Sequence, residues 1–393
     1  MSDPAPAATA GSAPADRTVH WIGTGLSVGP TALRTLCEQP ERLVLWGRRR
    51  ERATETLRRF GLEGRAVAAG LDRDEPAAAL RPGDVLVSML PASEHPGLLR
   101  TAIDRGAHFA CASYASDEVA ALAPAAARAG TVVLTDTGLD PGLDHLMAHR
   151  LVADARRAVG DTAEDVRFTS YCGGLPAEVN EFRYRFSWAP YGVLAALGTP
   201  ARFVADGAER RAPRPWEATR TLRRAGEAFE AYPNRDSLPF VGEYGFPEGW
   251  RLAEFVRGTL RNTGWRAAWA PVFEAVASGD PARLRDLAGE LARRYPATAE
   301  DRDRVVLAVT LALRAPGGGG WRGEYLLDLT GGAEESAMAL CVSLPLAHGV
   351  VRVLRGALPA GLHRAVAGTE ADDWMAFFGR HGIHATYRQD DLP

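Results

Sequence analysis

The 393-residue chain is 46% apolar and 24% charged, the balance of a globular protein too long for one ordinary core. A formal net charge of −3 argues against a nucleic-acid surface, yet leaves room for a small anion held by local arginines. The four cysteines (Cys37, Cys111, Cys172, Cys341) and nine scattered histidines show no metal-ligand spacing, so neither a disulfide framework nor a metal site is expected.

Residues 1–17 are rich in Ala, Pro, Ser and Asp and lack an apolar core; a disordered tail is expected there, not a signal peptide. No run reaches about 18 apolar residues, so no membrane span is expected. Residues 18–22 read as a strand, followed by the Gly-rich turn Gly23-Thr24-Gly25-Leu26-Ser27-Val28-Gly29, a helix over 30–38 and a second strand over 42–47. This is a βαβ unit whose turn and helix-start amides suit a pyrophosphate, with Gly23, Gly25, Leu26, Ser27 and Val28 the expected contacts.

Where an NAD site wants an acid, the second strand ends in Arg48-Arg49-Arg50. Guanidinium forks match a 2′-phosphate, which points to NADP; the bland alternative is that they only decorate a helix start. A third strand, 84–89, ends at Leu90-Pro91, which would line the cofactor crevice. Another, 131–134, leads into Gly138-Leu139-Asp140-Pro141-Gly142-Leu143-Asp144-His145, where Asp140 and Asp144 either cap the next helix or face a pocket.

Further on, strands are expected at 166–171, 182–188, 202–204, 227–232, 252–261, 305–314 and 321–329, with helices at 192–197 and 272–295. After Gly331-Gly332 the pattern is helical over 334–344, with a boundary or kink at Pro345, and again over 371–378. The expected architecture is α/β: a Rossmann-like domain over 18–144 and an α+β substrate domain over 145–332 with a helical insertion near 265–300. A helical segment, 333–393, returns to the first domain.

Ser113-Tyr114, the 138–145 segment, Ser170-Tyr171-Cys172-Gly173-Gly174-Leu175-Pro176, Phe186-Ser187-Trp188, Tyr232-Pro233-Asn234-Arg235-Asp236-Ser237 and Arg257-Gly258-Thr259-Leu260-Arg261 carry a resemblance. In this order they resemble the saccharopine dehydrogenase family, nearest its NADP-dependent, glutamate-forming branch. The stretch between Pro176 and Tyr184 is shorter than the fungal pattern and lacks its Asn-Pro-Leu-Gly wording.

The resemblance implies reversible reduction of the imine between 2-aminoadipate 6-semialdehyde and L-glutamate, with NADPH as hydride donor. It places Tyr114, Asp140 and Cys172 at catalytic positions. Substrate contacts fall to the same three and to Gly173, Gly174, Asn234, Arg235 and Ser237. A cytoplasmic homodimer acting on small amino acids, without nucleic-acid or membrane partners, is the accompanying expectation. Arg257 and Arg261 either assist or stay solvated; Trp188 either walls the cleft or packs; Arg235 either clamps a carboxylate or pairs with Asp236. The alternatives are a related opine-type dehydrogenase making another secondary amine and a noncatalytic dinucleotide sensor.

Overall fold

The computed structural model describes residues 17–73, 75–186, 189–296, 298, 300–364 and 369–393. The expected N-terminal tail, apart from Arg17, and Trp188 lie outside them.

Short apolar runs between polar helices form a parallel sheet, as buried strands with crossover connections must. The first part runs β1 (Thr18–Ile22), α1 (Pro30–Cys37), β2 (Arg42–Gly47), α2 (Arg50–Arg59), β3 (Val67–Gly70), α3 (Pro76–Ala79), β4 (Val85–Ser88), α4 (His95–Asp104), β5 (His108–Cys111), α5 (Asp117–Arg128) and β6 (Val132–Leu134). α6 (Leu143–Val159) then leads to β7 (Thr162–Pro176), α7 (Pro190–Leu197), β8 (Ala201–Ala205), β9 (Ala208–Ala212), β10 (Arg220–Arg224) and β11 (Glu227–Pro233). α8 (Pro239–Glu243), β12 (Gly249–Asn262), α9 (Trp265–Ala268), α10 (Ala270–Ala277), α11 (Pro281–Arg294), β13 (Asp303–Arg314) and β14 (Gly320–Thr330) follow. The chain closes with α12 (Ala337–Leu354), β15 (Gly361–His363), α13 (Thr369–Arg380) and β16 (Ala385–Leu392).

Two sheets result. The seven-stranded sheet, ordered β15-β6-β5-β4-β1-β2-β3, is wholly parallel. The nine-stranded sheet follows β10-β11-β12-β7-β13-β14-β16, with β8 and β9 off this path, and is antiparallel apart from the β12–β7 pair. Its core side packs on α6, α12 and α13 through Leu146, Leu151, Phe168, Leu307, Leu344 and Trp374. α12 also packs on the first sheet's side, where Leu346, Val350 and Val353 join Val19 and Leu33. By length and composition α12 could cross a membrane, but 78% of it is buried inside the protein.

Four expectations are corrected. The final segment is not simply helical: β15 joins the first sheet, whereas β16 pairs with β14 in the second. Pro345 neither ends nor splits α12, which runs through it with both flanks buried; packing against both sheets outweighs the lost hydrogen bond. Residues 182–186 form no ladder. Phe182, Tyr184 and Phe186 are buried against the helical insertion, and backbone groups there bond side chains: Asn180 holds Tyr184 at both ends and Trp269 Nε1 donates to Phe182 O. Finally, 272–295 is two helices, divided where Asp280 caps α11 through the amides of Ala282 and Arg283.

Candidate active site

Three segments converge where the two sheets meet. The loop after β5 presents Tyr114, the loop from β6 and the first turn of α6 present Asp140 and Asp144, and β12 presents Arg257. In the second loop Gly142 holds φ +142°, and a Cβ on it would fall 2.1 Å from the Gly138 carbonyl oxygen, so only glycine fits the turn that aims both aspartates.

One guanidinium nitrogen ties these segments together. Arg257 Nη2 donates to Tyr114 OH at 2.7 Å, Asp140 Oδ1 at 2.8 Å and Asp144 Oδ2 at 2.6 Å. Tyr114 OH in turn donates to Asp140 Oδ1 at 2.5 Å, and Gly142 N donates to Asp144 Oδ1 at 2.8 Å. The Arg257 side chain lies 4.0 Å from the Phe240 ring centre and 5.3 Å from that of Tyr114, and the residue is only 5% exposed. Burial, then the Asp144 carboxylate, push the Asp140 carboxyl above its ordinary range, while Arg257 and the Tyr114 hydrogen bond pull it back. Burial raises the Tyr114 phenol as well, so it enters as a hydrogen-bond donor. Asp140 is therefore held by Tyr114 and Arg257 and does not cap α6.

His145 lies behind this group. Its Nδ1 is 2.8 Å from Tyr244 OH, its ring stacks on Phe240, and burial followed by the Arg257 charge keeps it neutral. Asp136 braces the Tyr114 loop by accepting from Ala115 N, and burial lifts its carboxyl to about 6.

On β7 and β12, Ser170 pairs with Arg257 and Cys172 with Thr259, so Cys172, Arg257, Thr259 and Arg261 share one face. The Cys172 thiol is buried and pushed well up by burial, then by Asp140 and Asp144; it is a small protonated group. Arg261 is 7% exposed. Its Nη2 reaches Tyr232 OH, and its guanidinium sits among the rings of Tyr184, Tyr232 and Trp265. Neither Arg261 nor Arg235 has a carboxylate within ion-pairing distance among the described residues. Arg235 is exposed and lies over the Tyr114 ring at 5.2 Å. Asp236 pairs instead with Arg202 at 2.9 Å, which removes the alternative that it holds Arg235.

Other expected residues are placed differently. Ser237 is fully buried and its Oγ accepts from Arg257 N at 3.0 Å, so it holds the strand and has no surface to offer a substrate. Gly173 is glycine because β12 needs the space: a Cβ would meet the Leu260 carbonyl oxygen at 2.7 Å. Asn234 is half-buried, with its amide donating to Arg257 O.

In the first domain Gly23 adopts φ +123° against Met89, while a Cβ on Gly25 would meet nothing within 4 Å. Open space over Gly25, beside the amides of Leu26 and Ser27, fits a pyrophosphate. Other amides of the turn and helix start are committed elsewhere: Gly23 N donates to Trp46 O, Val28 N to Gly25 O, Gly29 N to Ser343 Oγ, and Thr31 N at the head of α1 to Glu335. Leu90 and Pro91 follow β4 beside this loop, Leu90 half-buried and Pro91 exposed. Arg48, Arg49 and Arg50 are exposed and lack an ion pair among the described residues, with Arg49 at the N-cap of α2. Three uncompensated cations at a helix start are a poor structural arrangement and a good phosphate site. Changing Arg48 and Arg49 together to alanine is expected to weaken NADPH binding about 10- to 100-fold and leave NADH binding nearly unchanged, as read by fluorescence titration.

No His, Cys, Asp or Glu group among the described residues could hold a metal ion. The geometry is that of a two-domain fold with a Gly-rich turn suited to a dinucleotide in the first sheet and a buried polar cluster joining elements of both parts. The chain matches the saccharopine dehydrogenase NADP binding domain over residues 19–134 and the saccharopine dehydrogenase C-terminal domain over 138–383, and it belongs to the saccharopine dehydrogenase family. It is 34% identical over 261 residues to a saccharopine dehydrogenase (NADP(+), L-glutamate-forming) of Pyricularia oryzae, covering 64% of this chain and 56% of that one. It is 37% identical over 190 residues to an alpha-aminoadipic semialdehyde synthase of Arabidopsis thaliana, covering 46% of this chain and 17% of that one. The chain thus spans about half the length, or less, of these curated relatives. Its fold is similar to that of an apo saccharopine dehydrogenase (L-Glu forming) from Saccharomyces cerevisiae: TM-score 0.80 and 24% identity over 95% of this chain and 100% of that one.

Proposed function

We propose that the protein is an NADP-dependent saccharopine dehydrogenase of the L-glutamate-forming type, joining 2-aminoadipate 6-semialdehyde and L-glutamate by reversible imine reduction. The observation that carries this reading is a pair of guanidiniums without carboxylate partners among the described residues: Arg235 over the Tyr114 ring, and Arg261 on the same face of β12 as the Arg257 that holds Tyr114 and Asp140. A product with three carboxylates and a secondary amine supplies the missing anions, and the Asp140 carboxyl, raised by burial and by Asp144, supplies the amine's partner.

The nicotinamide provides the hydride when bound, which no side chain can do. Asp140 accepts the amine proton or steadies the water that enters or leaves the imine carbon. Tyr114, positioned by Arg257 Nη2, turns its single O–H from Asp140 onto the reacting oxygen once Asp140 engages the amine. Cys172 supplies a small, protonated wall beside them. Arg235, exposed and over the Tyr114 ring, is free to turn onto a substrate carboxylate, and Arg261 holds another within its aromatic surround. A homodimer acting on small amino acids belongs to the same reading, and light scattering checks the assembly.

NADPH oxidation with the semialdehyde and a panel of amino acids tests the assignment. Glutamate is expected to give the highest kcat/KM, by roughly 100-fold or more over neutral amino acids, because a neutral side chain would leave a buried guanidinium unpaired. Turnover with another amine donor and none with glutamate would replace this reading with the related opine-type dehydrogenase. The shortened segment between Pro176 and Tyr184 motivates that second reading.

A further inference from the structure

Glu335 belongs to the segment that enters α12, yet its carboxylate reaches the head of α1 in the first domain. Oε1 accepts the Thr31 amide at 3.3 Å, and Oε2 accepts the Thr31 hydroxyl in a short contact. The neighbouring Gly29 amide donates to Ser343 Oγ on α12 at 3.1 Å. The fit depends on glycine at 29, since a Cβ there would lie 1.8 Å from Glu335 Oε1. α1 has no side-chain cap of its own, and Pro30 at its first position carries no N–H. Glu335 is therefore its N-terminal anion, supplied from more than 300 residues away.

That place has a second claimant. The pyrophosphate of a dinucleotide lies at the Gly-rich turn and the helix that follows, drawn by the same amides and the same dipole. Here the turn's open part is only Gly25 to Ser27, and a carboxylate stands at the next step of the backbone. The groups facing that carboxylate are Thr31, Gly29 and Ser343, with Arg34 the cation acting on it. Burial raises the carboxyl, and the two Thr31 hydrogen bonds and Arg34 oppose the rise.

We propose that Glu335 sets the affinity of the cofactor site by filling the anion position at the head of α1, confining the pyrophosphate to the Gly25–Ser27 amides and repelling it. The arrangement favours release of the spent cofactor. It also couples cofactor binding to the seating of α12, because the same segment delivers the carboxylate and the helix. The charge acts on the pyrophosphate, so NADPH and NADH feel it alike, which separates it from any effect of Arg48–Arg50.

The test is the dissociation constant of NADPH and of NADH, by titration calorimetry on the full chain at about pH 8, where an ordinary carboxyl is ionised. Glu335→Gln keeps the acceptor to Thr31 N and removes the charge; it is expected to tighten both cofactors by about 5- to 30-fold, the size of one charge at partly screened range. Glu335→Ala is expected to tighten both as well, despite a lower Tm from the uncapped helix. Unchanged or weaker binding in the glutamine variant, or weaker binding in the alanine variant with a lowered Tm, would assign Glu335 a capping role alone and overturn the proposal. Each comparison is of binding and not of turnover, so it stands apart from the substrate assignment.

Discussion

Replacing Arg257 with methionine is expected to lower kcat by roughly a thousandfold and to destabilise the fold by about 3–5 kcal/mol, the cost of removing one partner from a buried ionic group. Its Nη2 is the shared donor for Tyr114, Asp140 and Asp144, and the residue is 5% exposed. Without it two carboxylates face each other with no cation between them. The pH profile gives the sign. Asp140 is already raised by burial and by Asp144, with Arg257 the leading opposing influence. Losing that cation raises its carboxyl further, so the ionised form that accepts the amine proton disappears at a higher pH. The acid limb of kcat/KM is expected to move upward in Arg257→Met, and Arg257→Lys, which restores charge without the fork, to recover only part of the rate. An unmoved acid limb would mean that Asp140 is not the group whose ionisation limits the reaction.

Arg261→Met is expected to act on binding. The guanidinium is buried among Tyr184, Tyr232 and Trp265 with no carboxylate partner among the described residues, an arrangement that costs free energy until an anion arrives. Methionine preserves much of the volume and deletes the charge. KM for the dicarboxylic amino acid should rise about 100-fold, while NADPH affinity stays within about twofold and Tm holds or rises. A variant that loses NADPH binding in parallel would show that Arg261 supports the fold and not the substrate.

Much of the fold was legible because its segments obey simple periods. The strand–glycine turn–helix–strand opening sits at 18–47 as the pattern implies, the strand at 320–330 alternates as a half-buried sheet should, and the one at 303–314 is a nearly continuous apolar run buried in the sheet's centre. The misses have physical causes. β10, Arg-Thr-Leu-Arg-Arg, and β16, with Arg388, Asp390 and Asp391, are polar edge strands whose charges hide the alternation; edges carry such charges to resist further pairing. The stretch 182–186 alternates in burial without a ladder because helices, not a strand, lie opposite. Pro345 sits inside a helix because both flanks are buried, a tertiary effect that local propensity does not see.

The site was partly legible. Tyr114 and Asp140 are brought together, and Arg235 leans on the same ring. Ser237 and Gly173 belong to the strand framework instead. Arg257 and Arg261 were undervalued, although a signal was present. Phe255, Arg257 and Arg261 have the same parity on one strand, so arginines follow a core phenylalanine on its inward face. Two charges on an inward face demand partners, and Arg261 finds only Tyr232 OH and the Leu260 carbonyl, with no carboxylate among the described residues. The Glu335 contact with α1 had no local signal, since only the return of the chain from the second domain brings it there.

The most direct measurement is the crystal structure of the protein with NADPH and saccharopine. The account predicts the secondary amine within hydrogen-bond distance of Asp140 and beside the nicotinamide, with one carboxylate on Arg261 and another on Arg235. Saccharopine bound outside the cleft, or inside it with Arg261 still lacking an anion and Asp140 turned away from the amine, would contradict it.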